Sequence, residues 1–367
     1  MNTDTAGSAP NKAYNGMQDW YSGFNEFDTE GIARMRAAYC GVLMTTGLWG
    51  FAAQALEAKW TFDPPLGDVD CSPGVADLNG DGKSDLVVTT TAGMTIAVDS
   101  AGRQMWMSGV QIPISIPPTV VDLLEDPTPE VLVLNQAGRM YCLSGKTGDT
   151  IWQFDFPGKV VWGTTSIAAF DLDGDGVLEI VAGDDQGHVV CLSNEGELRW
   201  QYNGEHGYAY CPAIGAIGEN ESSAVLIGGS KIPLVCLNAD GTEWWRAAKP
   251  GNGTSPVIAD LDGDGRNEIV SAIDNAVAVV DGMGKVRWTY ATTKAIDGSI
   301  AVADANEDGV PEIYAIDLSG VMVSLTPDGG KRWTANVHER VRRSPAIADV
   351  DGDGKIDIVA AGYSGEM

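Results

Sequence analysis

Basic residues are scarce in this chain of 367 residues: 23 Lys and Arg stand against 51 Asp and Glu, giving a net charge of −28. Nucleic-acid binders neutralise phosphates with a basic footprint, so the deficit argues against nucleic acid as a partner. Histidine is rarer still. The three present (His188, His206 and His338) match no spacing that a zinc site or a hydrolytic triad would use. Of six cysteines, none forms a CxxC or an adjacent pair. Five of them follow residue 55, and an odd number cannot all pair within one chain. Cys142, Cys191 and Cys236 recur at one repeat position and read as small buried hydrophobes. Long apolar runs are also lacking, apart from one uncharged stretch of 20 residues at 37–56. What the chain does have is 46 Gly, 11 Trp and 44% apolar residues. That apolar share is too high for a disordered acidic tail, and so many glycines imply many turns, hence an all-β chain.

The uncharged stretch has the grammar of an export signal. Met35-Arg36 stands before it and Ala53-Gln54-Ala55 ends it, giving a basic n-region, an apolar h-region and a small-x-small cleavage site. Residues 35–55 are therefore expected to be a signal peptide, and 1–34 an unstructured upstream extension or long n-region. The mature chain, 56–367, is then secreted, periplasmic or on the cell surface, with no membrane span after cleavage. An uncleaved anchor is the alternative, since 20 uncharged residues just span a bilayer.

The rest of the chain repeats. Trp60, Trp106, Trp152, Trp200, Trp245, Trp288 and Trp333 recur every 43–48 residues, and six of them follow a glycine by four positions (Gly102, Gly148, Gly196, Gly241, Gly284 and Gly329). Short apolar runs separated by turns at this period indicate propeller blades. In one repeat, strands are expected at 166–170, 180–183, 188–192 and 198–202, with an acidic turn at 171–179 and a tight turn at 194–196. The expected fold is an all-β β-propeller of seven four-stranded blades, in which the tryptophan fills the gap between blades. The mature chain opens on an outer strand, Lys59-Trp60-Thr61-Phe62, and the last repeat stops at its third strand. The N-terminal strand would complete the last blade. The ring is expected to be incomplete at the C-terminus, with an eighth blade possible if the chain is a fragment.

Five repeats carry the pattern D-x-[DN]-x-D-G-x-x-[DE]. Their oxygen donors at positions one, three, five and nine are Asp77, Asn79, Asp81, Asp85; Asp171, Asp173, Asp175, Glu179; Asp260, Asp262, Asp264, Glu268; Asp304, Asn306, Asp308, Glu312; and Asp349, Asp351, Asp353, Asp357. The carbonyl at position seven adds another (Lys83, Val177, Arg266, Val310, Lys355), and glycine at position six permits the sharp turn. Position twelve is never Glu, so these are not EF-hands, and position nine must supply the closing carboxylate. All-oxygen ligation favours Ca²⁺, at about five sites. Eighteen of the 51 acidic residues are donors in these loops. Two repeats depart from the pattern. The loop at 122–130 has Leu124 at position three, and the one at 216–224 keeps almost no acid.

The run Asp171-Leu-Asp-Gly-Asp-Gly-Val-Leu-Glu-Ile-Val and its counterpart from Asp260 resemble FG-GAP/VCBS repeats, which in turn resemble the integrin α-subunit propeller with Ca²⁺ in its hairpin loops. The second half of each repeat, as in Cys142-Leu-Ser-Gly-Lys-Thr-Gly-Asp-Thr-Ile-Trp152, resembles PQQ-like (quinoprotein-type) propeller repeats. The resemblance implies the fold over about 56–367. Activities differ widely among such propellers, which include adhesins, scaffolds and polysaccharide lyases.

Three functions are compatible with these residues. One is a non-catalytic module binding an extracellular glycan or protein. The second is a polysaccharide lyase or hydrolase propeller, although no paired-carboxylate or histidine constellation stands apart from the acidic loops. The third is a PQQ-dependent protein, for which the adjacent cysteine pair of many such enzymes is missing. A ligand face is expected where connectors run from one blade to the next, opposite the acidic loops. Those connectors hold equal numbers of acidic and basic residues, so they are neutral in a very acidic chain. The candidates there are Trp162, His206, Tyr208, Tyr210, His338, Arg340, Arg342 and Arg343.

Overall fold

The computed structural model describes residues 60–360, apart from 70, 110–111, 115, 125–127, 161–164, 205–207, 210–211, 218–219, 253, 299, 342–343 and 351–352. The expected signal segment and upstream extension, 1–55, lie outside the described residues. Among those described there is no helix. Their strands form seven antiparallel sheets in chain order.

The third sheet shows the plan: Ile167–Phe170, Glu179–Gly183, His188–Leu192 and Leu198–Asn203, each paired with the next. These bounds match the expected strands to within a residue, except that Glu179 belongs to the second strand. Four other sheets repeat the plan, running from Gly74–Ala76 to Gln104–Gly109, from Thr119–Val121 to Thr150–Asp155, from Val257–Ala259 to Val286–Ala291, and from Ala301–Ala303 to Lys331–Asn336. The innermost strands of successive sheets touch in chain order, as the blades of a propeller do.

Burial follows from this stacking. The second strands of blades two, three, five and six are buried at every position, because sheets cover both faces. Outer strands such as Leu198–Asn203 alternate between exposed and half-buried. Cys142, Cys191 and Cys236 are free thiols in the third strands, directly across from Trp152, Trp200 and Trp245. Burial pushes the Cys191 and Cys236 thiols up to about 12. These are packing groups, and a β-bulge follows each of them at the same register.

The glycine–tryptophan pattern turns out to be a fastening between blades. Each glycine stacks beneath the tryptophan of the preceding blade, not its own. A Cβ placed on Gly148, Gly196, Gly241, Gly284 or Gly329 would stand 2.5–2.9 Å from the ring of Trp106, Trp152, Trp200, Trp245 or Trp288. The same indoles donate Nε1–H to carbonyls of that turn: Gly145, Asn194, Ala239, Gly282 and Pro327, at 2.6–3.0 Å. One side chain thus supplies apolar area and a satisfied polar handle.

Two features differ from the expected plan. The fourth sheet has five strands: beside Ala213–Ile217, Asn220–Ile227, Gly229–Asn238 and Glu243–Asn252, the connector strand Tyr208–Ala209 pairs with Gly229 and Ser230. The seventh sheet has two described strands, Ala346–Ala348 and Asp357–Val359. Trp60 carries no strand pairing, since the third strand it would join falls beyond the described residues. Its ring nonetheless sits over Gly102, where the outer strand of a preceding blade would place it.

The glycines separate steric from conformational demand. Gly241 (φ +80°) faces an indole, whereas Gly176 (φ +89°) in an acidic loop faces open space. Gly176→Ala should cost about 1 kcal/mol of left-handed strain, and Gly241→Ala about 2–4 kcal/mol once overpacking is added. Chemical denaturation in EDTA measures both, and equal losses would show that the indole needs no glycine.

Candidate metal centres

Each acidic loop joins the first strand of a blade to the second, so all of them open at the same end of the ring. The turn is built on position one. In the third blade, Asp171 Oδ1 accepts N–H bonds from Gly174 and Asp175, and Oδ2 accepts one from Gly176, at 2.7–3.1 Å. Asp77, Asp260, Asp304 and Asp349 accept bonds from the same loop positions. The Gly82 N–H, ahead of its other neighbours, holds the Asp77 carboxyl below its ordinary range. Position five turns back the same way: Asp81, Asp175, Asp264, Asp308 and Asp353 each accept the N–H of position seven. Among the described residues, the backbone at positions four and six takes positive φ, served by glycine except at Glu307 (φ +60°).

Position nine opens the second strand. Asp85, Glu179, Glu268 and Glu312 are 0–2% exposed. One oxygen of each accepts the N–H of position two: Leu78, Leu172, Leu261 and Ala305. Asp357 does the same for Val350. Burial raises the Asp85, Glu179 and Glu268 carboxyls above their ordinary range, against the pull of those bonds.

The donor sets fit a hard cation in two blades outright. Single carboxylate oxygens of Asp171, Asp173 and Glu179 lie within 4.8 Å of one another, as do those of Asp260, Asp262 and Glu268. Glu179 Oε1 is buried and faces the guanidinium of Arg199, 2.7 Å away, and no backbone N–H. Elsewhere position three is Asn79 or Asn306, whose amide donates to the position-nine acid. Asp351 lies outside the described residues.

The departing blades separate scaffold from site. In the second blade Glu130 is buried and accepts the N–H groups of Leu123 and Leu124, at 2.9 and 3.1 Å, although Leu124 replaces the position-three donor. The position-nine acid therefore serves the backbone even where the position-three donor is gone. In the fourth blade a bulged hairpin pairing Ile217 with Asn220 replaces the loop.

Three arginines escaped the sequence reading. Arg199, Arg287 and Arg332 reach the acids of their own blades from the outer strand. Arg199 Nη1 lies 2.8 Å from Asp173 Oδ2 and 2.7 Å from Glu179 Oε1. Their signal was an arginine directly before the tryptophan in Leu198-Arg-Trp, Val286-Arg-Trp and Lys331-Arg-Trp.

Of the proposed ligand face, His338 and Arg340 are exposed, and His338 has φ +59°. Tyr208 lies in the added fifth strand of the fourth sheet. Trp162, His206, Tyr210, Arg342 and Arg343 fall outside the described residues. Connectors latch onto the second turn of the following blade through backbone bonds, such as Asp185 N–H to Lys159 O at 2.9 Å. This end lies opposite the acidic loops.

Residues 72–103 match the FG-GAP repeat, and 122–182 and 260–315 match the FG-GAP-like repeat. The chain carries FG-GAP repeats on a β-propeller. Residues 162–248 also match the lambda-carrageenase beta-propeller domain. No curated protein matches the sequence. Among solved structures, BamB from Moraxella catarrhalis is similar at 16% identity and a TM-score of 0.60, over 82% of this chain and 84% of that one. The V. cholerae biofilm matrix protein Bap1 is similar at 14% identity and a TM-score of 0.61, over 80% and 74%. BBS1N, solved in complex with ARL6DN, is similar at 12% and 0.53, over 84% and 96%. At these identities the likeness establishes the propeller fold.

If the position-nine acid is a backbone acceptor first, its substitutions should rank by that role in the second blade. Glu130→Gln should be nearly neutral. Glu130→Ala should cost about 2–5 kcal/mol, because two buried N–H groups lose their acceptor. Equal stability of the two variants in urea would contradict this.

Proposed function

We propose that this protein is a secreted, calcium-stabilised β-propeller that works as a non-catalytic binding module for an extracellular glycan or protein. The observation that carries the reading is the register of the acidic loops: five, at the same place in five of the blades and at one end of the ring, in a chain of net charge −28. Calcium there would tie each blade's inner strands together and offset the mutual repulsion of the acids. The opposite end, with its neutral connectors and exposed Arg340, is left to meet a partner. Likeness in fold to a biofilm matrix protein supports an extracellular setting. Among the described residues, no helix is long and apolar enough to cross a membrane.

The loops would bind calcium with position one, three, five and nine side chains and the position-seven carbonyl. At ~1 mM Ca²⁺ and a dissociation constant of ~0.1 mM, each site contributes about 1.4 kcal/mol. Five sites contribute roughly 7 kcal/mol, comparable with the net stability of a domain. EDTA should therefore lower the melting temperature by ten degrees or more, and an unchanged melt would remove calcium from the account. For the ligand face, Arg340→Ala combined with Arg342→Ala and Arg343→Ala should weaken retention on an array of acidic glycans and matrix proteins. Undiminished retention would place the ligand elsewhere.

A second reading has one observation in its favour, the match of 162–248 to the lambda-carrageenase propeller domain. On that reading the chain is the propeller of a polysaccharide-degrading enzyme. Release of reducing ends from lambda-carrageenan by the purified protein would favour it over the non-catalytic one.

A further inference from the structure

The three arginines that precede a tryptophan do the same thing in each blade. Arg287 Nη1 lies 2.8 Å from Asp262 Oδ2, and its Nη2 lies 3.1 Å from Glu268 Oε1. Arg332 pairs with Glu312 Oε1 and lies 3.7 Å from Asp308 Oδ2. With Arg199, every one of them takes Oε1 of the buried position-nine glutamate while the backbone N–H takes Oε2, and in blade six the Asn306 amide shares Oε1 with the arginine. Each also holds an acid from position three or five of the loop.

The arginine follows the acids from blade to blade. Among the described blades, the three with a glutamate at position nine of a complete loop have it. The second blade, with Leu124 in place of the position-three donor, has Ile151 at the corresponding position. The fourth, without a loop, has Trp244. The first has a complete loop ending in the shorter Asp85, and Met105 stands there. Asp85 is one methylene shorter than the glutamates that meet an arginine, and its oxygens are held within the blade by Leu78 N, Asn79 Nδ2 and Ser100 N. A solvated surface arginine would not sort itself by the chemistry of a loop reached from another strand.

A guanidinium on these oxygens neutralises the charge that a metal would neutralise, and the two cannot share them without like-charge repulsion. We propose that Arg199, Arg287 and Arg332 are built-in counter-cations: they hold the acidic loops of blades three, five and six together without metal, and yield the glutamate oxygen when calcium enters. Calcium affinity in these blades is thereby set lower than the acids alone would give, and the first-blade loop is free of this competition. The side chains are 34–37% exposed, so each head group can swing into solvent without unpacking the sheet. The inference rests on the calcium reading above.

The test compares the parent protein with the Arg199→Met, Arg287→Met and Arg332→Met variants, the triple variant, and Arg199→Lys. Melting is followed in EDTA, and calcium affinity by calorimetry. In EDTA the triple variant should melt several degrees below the parent. With calcium, the altered loops should bind about tenfold more tightly, and Arg199→Lys should stay near the parent in both readouts. Unchanged or weaker calcium binding by the triple variant overturns the proposal, because the arginines would then be supports and not competitors. If the triple variant does not fold, the single variants carry the same comparison. If the parent binds no calcium, it is the metal reading that fails, and the EDTA melt alone decides whether the arginines act as counter-cations: an unchanged melt overturns that as well.

Discussion

The indole of each blade's tryptophan lies on the backbone of the next blade's turn, where a glycine leaves room for it, and this contact determines where the rest of the ring can stand. A four-stranded sheet cannot bury both of its faces alone. The tryptophan joins neighbours at the outer strand, and the fully buried second strands then find apolar partners on both sides. Because the fastening is repeated at one register, the loops between first and second strands all emerge at one end, and the connectors at the other. The two ends of the molecule acquire different chemistry without any residue being placed for that purpose alone.

In the acidic loops, the side chains that would hold a cation already serve the fold. The position-one aspartate ties the turn through its oxygens, and the position-nine acid holds a buried backbone N–H. Glu130 keeps the second task where Leu124 has replaced the position-three donor. On the calcium reading, metal binding would draw on oxygens already fixed by backbone bonds, so little ordering would remain when an ion arrives. The arginines extend the same economy, since a cation from the outer strand stands where the acids would otherwise repel one another.

Much of this was legible in the residues. The Trp spacing reported the blades, and Asp171-Leu-Asp-Gly-Asp-Gly reported a tight oxygen-rich turn, because both depend on local periodicity. The pairing of Gly241 with Trp200 was not legible in the spacing: the glycine is four residues from Trp245 in sequence, and only the radial stacking of sheets brings it under the earlier indole. Arg199 went unnoticed because it lies 26 residues from Asp173 and meets it across the sheet. The fifth strand at Tyr208 was hidden for a similar reason, as two residues carry no periodicity and their pairing with Ser230 is set by an unusually long third strand. Local pattern therefore gave the units, and the contacts between units had to come from the structure.

The central claim is that the acidic array is a set of calcium sites carried on a propeller that folds by its own packing. Metal content measures it most directly. After equilibration with 1–2 mM calcium and removal of unbound metal under matched buffer, elemental analysis should find about five calcium ions per chain, one for each complete loop. Fewer than one ion per chain, with the fold intact by circular dichroism, would contradict the account and leave the acids as turn-forming groups alone.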